Sequence, residues 1–127
     1  MISSPAPATG EERKEIDMTI NDCIKLVDTM MPNETDRSVK LRLLGEIEGR
    51  VKVELLGTEP GDVPTFDEDT PEDTALCVPP PFDQIYLLYV MSMMDYLNGD
   101  VTRYENGAVL FNQAYQGYGK WLKRRGG

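Results

Sequence analysis

The residues able to do chemistry are few and scattered. Histidine is absent. The commonest general base and metal ligand is therefore missing, and no Ser-His-Asp or Cys-His arrangement can be built within one chain. The two cysteines, Cys23 and Cys77, share no CxxC spacing and make poor zinc ligands. They read as free thiols of a reducing cytoplasm, with a mutual disulfide as the alternative. One carboxylate, Asp95, stands between Met94 and Tyr96 on an apolar stretch. A buried carboxyl can serve as a base with a raised pKa, but Arg103 lies across a short turn and an ion pair is the plainer expectation. The run Asp67-Glu68-Asp69-Thr70-Pro71-Glu72-Asp73 invites a calcium reading. It fails on spacing: a calcium loop opening at Asp67 needs Gly where Glu72 stands and Glu where Val78 stands. A solvated or partner-binding acidic loop is expected instead. No catalytic, cofactor or metal residue is assigned, and the chain is not expected to be an enzyme.

Composition narrows the partners. The 127 residues make one domain, and 40% apolar content is enough for a core. Thirteen basic residues face 22 acidic ones, for a net charge of −9, which disfavours a groove for nucleic-acid phosphates. The longest apolar run, residues 85–94, already includes Ser92 and is too short to span a bilayer. No Lys or Arg occurs in residues 53–102, where eleven Asp and Glu do. The excess negative charge therefore lies in the middle of the chain. Asn33-Glu34-Thr35 fits the N-glycosylation pattern, but nothing else points to secretion.

The elements that must position these residues are helical. Residues 1–17 read as a disordered extension of small residues, Pro and charge. The Glu11-Glu12-Arg13-Lys14-Glu15 run, purine-rich in its codons, resembles a translated ribosome-binding sequence before Met18. Met18 is accordingly read as the natural start, with a genuine tail as the alternative. Residues 18–127 form the single folded domain. Thr19 and Asp22 resemble a capping box opening the first helix, whose face is Ile20, Ile24 and Val27. A second helix covers residues 36–56, with Val39, Leu43, Leu44, Ile47, Val51 and Leu55 at helical spacing and Gly57 as its cap. Gly45 and Gly49, four apart, point to close helix packing there, with a merely weakened helix as the alternative. Residues 57–81 make a long acidic, Pro-rich loop, in which Thr70-Pro71-Glu72-Asp73 opens a single helical turn and Leu76, Cys77 and Val78 pack on the core.

The third helix, beginning near residues 81–83 and ending at Asn98-Gly99, is apolar nearly all round and belongs in the middle of the fold. Asp100 caps the fourth helix, and the two form an antiparallel hairpin. Val101, Tyr104, Ala108, Phe111, Tyr115, Tyr118 and Leu122 recur at alternating spacings of three and four, three heptads in all. The fold class is all-α: this hairpin, the long second helix across it, and the acidic loop. The expected structural core is Ile85, Tyr89, Asp95, Tyr104, Phe111, Tyr115 and Tyr118. Tyrosines at such spacing are core and interface residues, not a cofactor box.

Several stretches resemble a known family. Pro81-Phe82-Asp83-Gln84-Ile85-Tyr86-Leu87-Leu88-Tyr89, Met94-Asp95-Tyr96-Leu97-Asn98-Gly99, Arg103-Tyr104 and Phe111-Asn112-Gln113-Ala114-Tyr115, with Tyr118 and Trp121, are similar to head-to-tail connector proteins of tailed phages and prophages of Gram-positive bacteria. Arg42-Leu43-Leu44 and Glu46-Ile47-Glu48-Gly49 extend the likeness, which covers residues 18–125. The chain departs from the pattern at Phe82, where Tyr is expected, and in its N-terminal extension. The resemblance implies an adaptor or neck protein of the virion. Its subunits would assemble as a homo-oligomeric ring beneath the portal protein, next to other neck or tail proteins, with the C-terminus reaching toward the portal.

The residues add two features to this picture. The last two helices carry more apolar and aromatic surface than four helices of this size need to bury, and such surface belongs at interfaces. Lys120, Trp121, Lys123, Arg124 and Arg125 gather at the end of the last helix, where cations are favoured and an acidic partner can be met. They are the candidate protein-interaction residues. The competing function is a small non-virion binding protein, such as a tail-assembly factor or regulator.

Overall fold

The computed structural model describes residues 17–125. The expected disordered extension therefore lies outside the described residues except for Asp17. Among these residues the fold is all-α, with four α-helices: α1 (Ile20–Met30), α2 (Arg37–Glu54), α3 (Gln84–Leu97) and α4 (Val101–Arg124).

Helix α1 starts as the capping box requires. The Thr19 hydroxyl accepts from the Asp22 amide at 3.0 Å, and the Asp22 carboxylate accepts from the Thr19 amide at 3.1 Å. The next two amides, of Ile20 and Asn21, donate to the carbonyls of Thr74 and Glu72. The acidic loop thus satisfies backbone donors that a helix start leaves open. The Leu76 amide donates to the Met18 carbonyl, and Thr19 and Ala75 form an isolated antiparallel bridge. Leu76 and Val78 follow into the core. Past the C-terminus of α1, the Asn33 side chain donates to Asp28 and to the Met31 carbonyl and accepts from the Thr35 amide. Asn33 thereby shapes the turn into α2.

Helix α2 is covered from more than one side. Leu41, Leu44, Ile47 and Val51 are fully buried, and so nearly are Lys40 and Glu48. Lys40 reaches Asp28 of α1 at 2.6 Å. The two glycines do permit a close approach, but not by a helix. A Cβ on Gly45 would stand 3.2 Å from the Phe66 amide nitrogen, and one on Gly49 3.1 Å from the Val63 side chain. The loop, not a neighbouring helix, lies against them. Beyond Gly57 (φ +79°) the loop makes an unanticipated 3-10 turn, Pro60–Asp62. It then returns along α2 toward Arg37, which pairs loosely with Glu68 and Glu72. The Pro80–Pro81 peptide bond is cis.

Helices α3 and α4 form the antiparallel hairpin, and α3 contacts all three other helices. The turn closes through Gly99 (φ +78°), and the Asp100 carboxylate accepts the Arg103 amide at 3.1 Å. Two ring pairs step down the seam, Tyr89 with Phe111 at 5.3 Å and Phe82 with Tyr118 at 5.2 Å. The hairpin helices pack closely at Gly107, where a Cβ would stand 2.9 Å from that of Ser92, so a larger residue there requires one of the helices to shift.

The expected core needs two corrections. Ile85, Phe111, Tyr115 and Tyr118 are buried, and Asp95 is nearly so. Tyr104 and Tyr89 are only half-buried. Tyr104 pairs at 5.2 Å with Tyr96, itself 59% exposed, and Val101 is 62% exposed. The heptad stripe is continuous, but α2 reaches only its lower part, through Arg50, Glu54 and Leu55 against Phe111, Tyr115 and Gly119. The upper part has α3 for a neighbour and solvent on the other side.

Candidate interaction surface

The polar groups inside the fold are committed to one another. Glu48, 2% exposed, accepts from the hydroxyl of the fully buried Tyr86 and from the amide of Cys77 at 2.9 Å. The Cys77 thiol stands 3.3 Å from the same carboxylate, and the Tyr86 oxygen accepts the Val78 amide at 2.9 Å. This cluster ties residues 77 and 78 to α2 and α3. Burial pushes the Cys77 thiol up to about 12, with the Glu48 charge adding to it. Burial likewise pushes Cys23 to about 12. Neither thiol is a nucleophile at neutral pH. Both cysteines are free. Asp95 meets Arg103 at 3.6 Å across the hairpin turn. Among the described residues no buried side-chain nitrogen or oxygen lacks a hydrogen-bond partner, and no group of three or more acidic or Cys side chains is placed to hold a metal ion. No described helix is long and apolar enough to cross a membrane.

Where α2 ends against the last turns of α4, the surface opens into a groove of about 410 Å³. Leu55, Tyr115, Gly119 and Leu122 line it with apolar surface, and Lys120 and Lys123 stand on its rim. Glu54 also lines it, but its carboxylate is engaged: it accepts the Tyr115 hydroxyl at 2.6 Å and the Arg50 guanidinium at 3.1 Å. These hydrogen bonds from Tyr115 and Arg50, opposed by slight burial and aided by the Arg50 charge, hold Glu54 below the usual carboxylate range. The Arg50 guanidinium lies over the Tyr115 ring, 4.6 Å from its centre.

The five candidate residues at this end divide. Lys120, Lys123, Arg124 and Arg125 are exposed. Among the described residues no ion-pair partner meets Lys120, Lys123 or Arg124, while Arg125 lies 4.9 Å over the Trp121 ring. Trp121 is half-buried, 5.1 Å from Phe82 and stacked with Tyr118. It helps hold the open end of the hairpin together, a role that its place beside the lysines concealed. The exposed large apolar side chains among the described residues are Leu26 and Met30 on α1, Leu56 just past α2, Tyr96, Leu97 and Val101 at the hairpin tip, and Val109 and Leu110 on α4.

The acidic loop tip lies at the other end of α2. Asp67 accepts from the Asp69 amide at 2.9 Å and from the Thr70 hydroxyl, and the Thr74 amide donates to the Pro71 carbonyl. These bonds order residues 67–74 as two successive turns with Glu68, Asp69, Glu72 and Asp73 facing solvent. No family model, curated protein or solved structure matches the chain.

Proposed function

We propose that the chain is a structural subunit of a tailed-phage particle, a head-to-tail connector that assembles as a ring below the portal protein. On this reading it is made in the host cytoplasm, stays in the virion, and works by binding without turnover. One observation carries the reading beyond the family resemblance. The buried polar groups are satisfied within the chain, whereas a cationic groove with apolar walls, at one end of the molecule, has charged groups that the fold does not use. Such a division suits a subunit that folds alone and docks later. Asp95 then has a purely structural task, neutralising Arg103 at the hairpin turn.

The test is composition and phenotype. Mass spectrometry of purified particles should find the chain in a fixed ratio to portal protein. Deleting its gene should leave filled heads without tails. A chain that is required for assembly but absent from finished particles would instead be an assembly factor.

A further inference from the structure

The two charged ends of the molecule have opposite sign, and α2 sets the distance between them. Arg37, at the first residue of α2, touches Glu68 and Glu72 of the acidic tip. Glu54, at its last residue, touches Tyr115 beside the groove. Eighteen helical residues separate the ends, about 27 Å at 1.5 Å per residue. The tip and the groove of one chain therefore cannot meet each other. They can meet those of a second copy.

We propose that residues 67–73 of one copy seat in the α2–α4 groove of the next. Three features of the chain favour this occupant. The charges are complementary: Asp69 and Asp73 are exposed on the tip while Glu68 and Glu72 answer Arg37, and Lys120 and Lys123 line the groove with Arg124 beside them. The groove's own carboxylate, Glu54, is already engaged by Tyr115 and Arg50 and does not repel an incoming acid. The tip is ordered in advance by the Asp67 and Pro71 hydrogen bonds, so little chain entropy is lost on docking. Pro71, exposed at the centre of the tip, is the apolar group that meets Leu55 and Leu122. Because donor and acceptor surfaces differ and lie at opposite ends, the contact is head-to-tail, the kind that closes into a ring or runs on as a filament. The inference rests on the reading of the chain as a self-assembling subunit and names the surface it uses.

Each copy also carries a net charge of −9. Overall repulsion opposes the local attraction, so free association is weak and appears only at high protein concentration. The attraction between exposed groups is lost at high salt.

The test uses two charge-reversed chains. One carries Lys120→Glu, Lys123→Glu and Arg124→Glu; the other carries Asp69→Lys and Asp73→Lys, which leaves Glu68 and Glu72 to Arg37. All five positions are exposed, and unchanged helicity and melting establish that both variants fold. Sedimentation velocity at high concentration and low salt should show the wild type in reversible association. Each variant alone should associate at least about tenfold more weakly, since like charges then face each other. An equimolar mixture should recover association, because reversed groove meets reversed tip. If the wild type associates and the variants do so equally well, the groove-and-tip contact is wrong while self-assembly stands. If neither wild type nor mixture associates at any salt concentration, pairing between copies is overturned, and presence of the chain in purified particles then decides the connector reading separately.

Discussion

Helix α2 makes one chemical contact twice, in two different surroundings. Glu48 accepts the Tyr86 hydroxyl where both are buried, and Glu54, with a side chain 50% exposed, accepts the Tyr115 hydroxyl at the groove. The inner pair also holds the Cys77 and Val78 amides, so removing it leaves donors without water to turn to. The outer pair borders solvent, and Arg50 can be rehydrated. The contact at Glu48 therefore belongs to folding. The one at Glu54 belongs to the surface, where the Tyr115 hydroxyl keeps the carboxylate ionised and the Arg50 guanidinium offsets its charge.

Four substitutions set these regions against each other. The largest effect is expected where α2 covers the heptad stripe. Phe111→Ala should cost about 3–5 kcal/mol in urea unfolding. Tyr104→Ala, on the uncovered part, should cost distinctly less; equal costs would mean the stripe is uniformly buried. Glu48→Ala should follow, at about 1–3 kcal/mol for each donor left unpaired. Glu54→Ala should remain within about 1 kcal/mol.

The glycines give a third comparison. Gly117→Ala on the open face of α4 meets nothing within 4 Å and should stabilise by up to about 1 kcal/mol through helix propensity. Gly45→Ala must displace the Phe66 backbone and should lose that gain or reverse it.

The smallest effect is a titration. Because Glu54 is held below its ordinary pKa, its contribution is full above about pH 4.3, the unfolded value. It is lost as pH falls through the lower folded value. Glu54→Gln should lower stability slightly at neutral pH and leave the acid extreme unaffected, so that the acid limb of the curve flattens. At the alkaline end, burial and the Glu48 charge raise Tyr86 well above 10. Tyr86 thus stabilises the fold below about pH 10 and ceases to as pH rises through its folded value, so absorbance titration should find it silent until the chain unfolds.

The helices were legible because their ends carry chemistry. Thr19 with Asp22, and Asn98-Gly99-Asp100, each satisfy or release backbone groups at a terminus, and the structure starts and stops its helices there; α2 ends short of Gly57, at Glu54 with Leu55 as its cap. The unread features share a different cause. Periodicity reports that a stripe is apolar, not what covers it, so Tyr104 and Phe111 looked alike. Gly45 and Gly49 announced a close neighbour without saying that it was the loop, and Gly107, which packs closely on Ser92, carried no partner glycine at helical spacing to mark it. The burial of Glu48 and Lys40 carried no signal in the sequence, since their partners Tyr86, Cys77 and Asp28 come from other elements. Trp121 was grouped with its cationic neighbours in sequence, whereas its ring turns to Phe82 and Tyr118. The groove could not be foreseen at all, since it exists only where the ends of α2 and α4 meet.

The most direct measurement compares folding with docking at that groove. The chain carrying Lys120→Glu, Lys123→Glu and Arg124→Glu, with Trp121 and Leu122 kept, should melt as the wild type does, because none of the three groups takes part in an ion pair among the described residues. Added to filled, portal-bearing particles that lack the chain, it should fail to bind where the wild type binds. Equal binding by both chains, or a marked fall in the variant's melting temperature, would contradict the separation of a self-sufficient interior from a docking end.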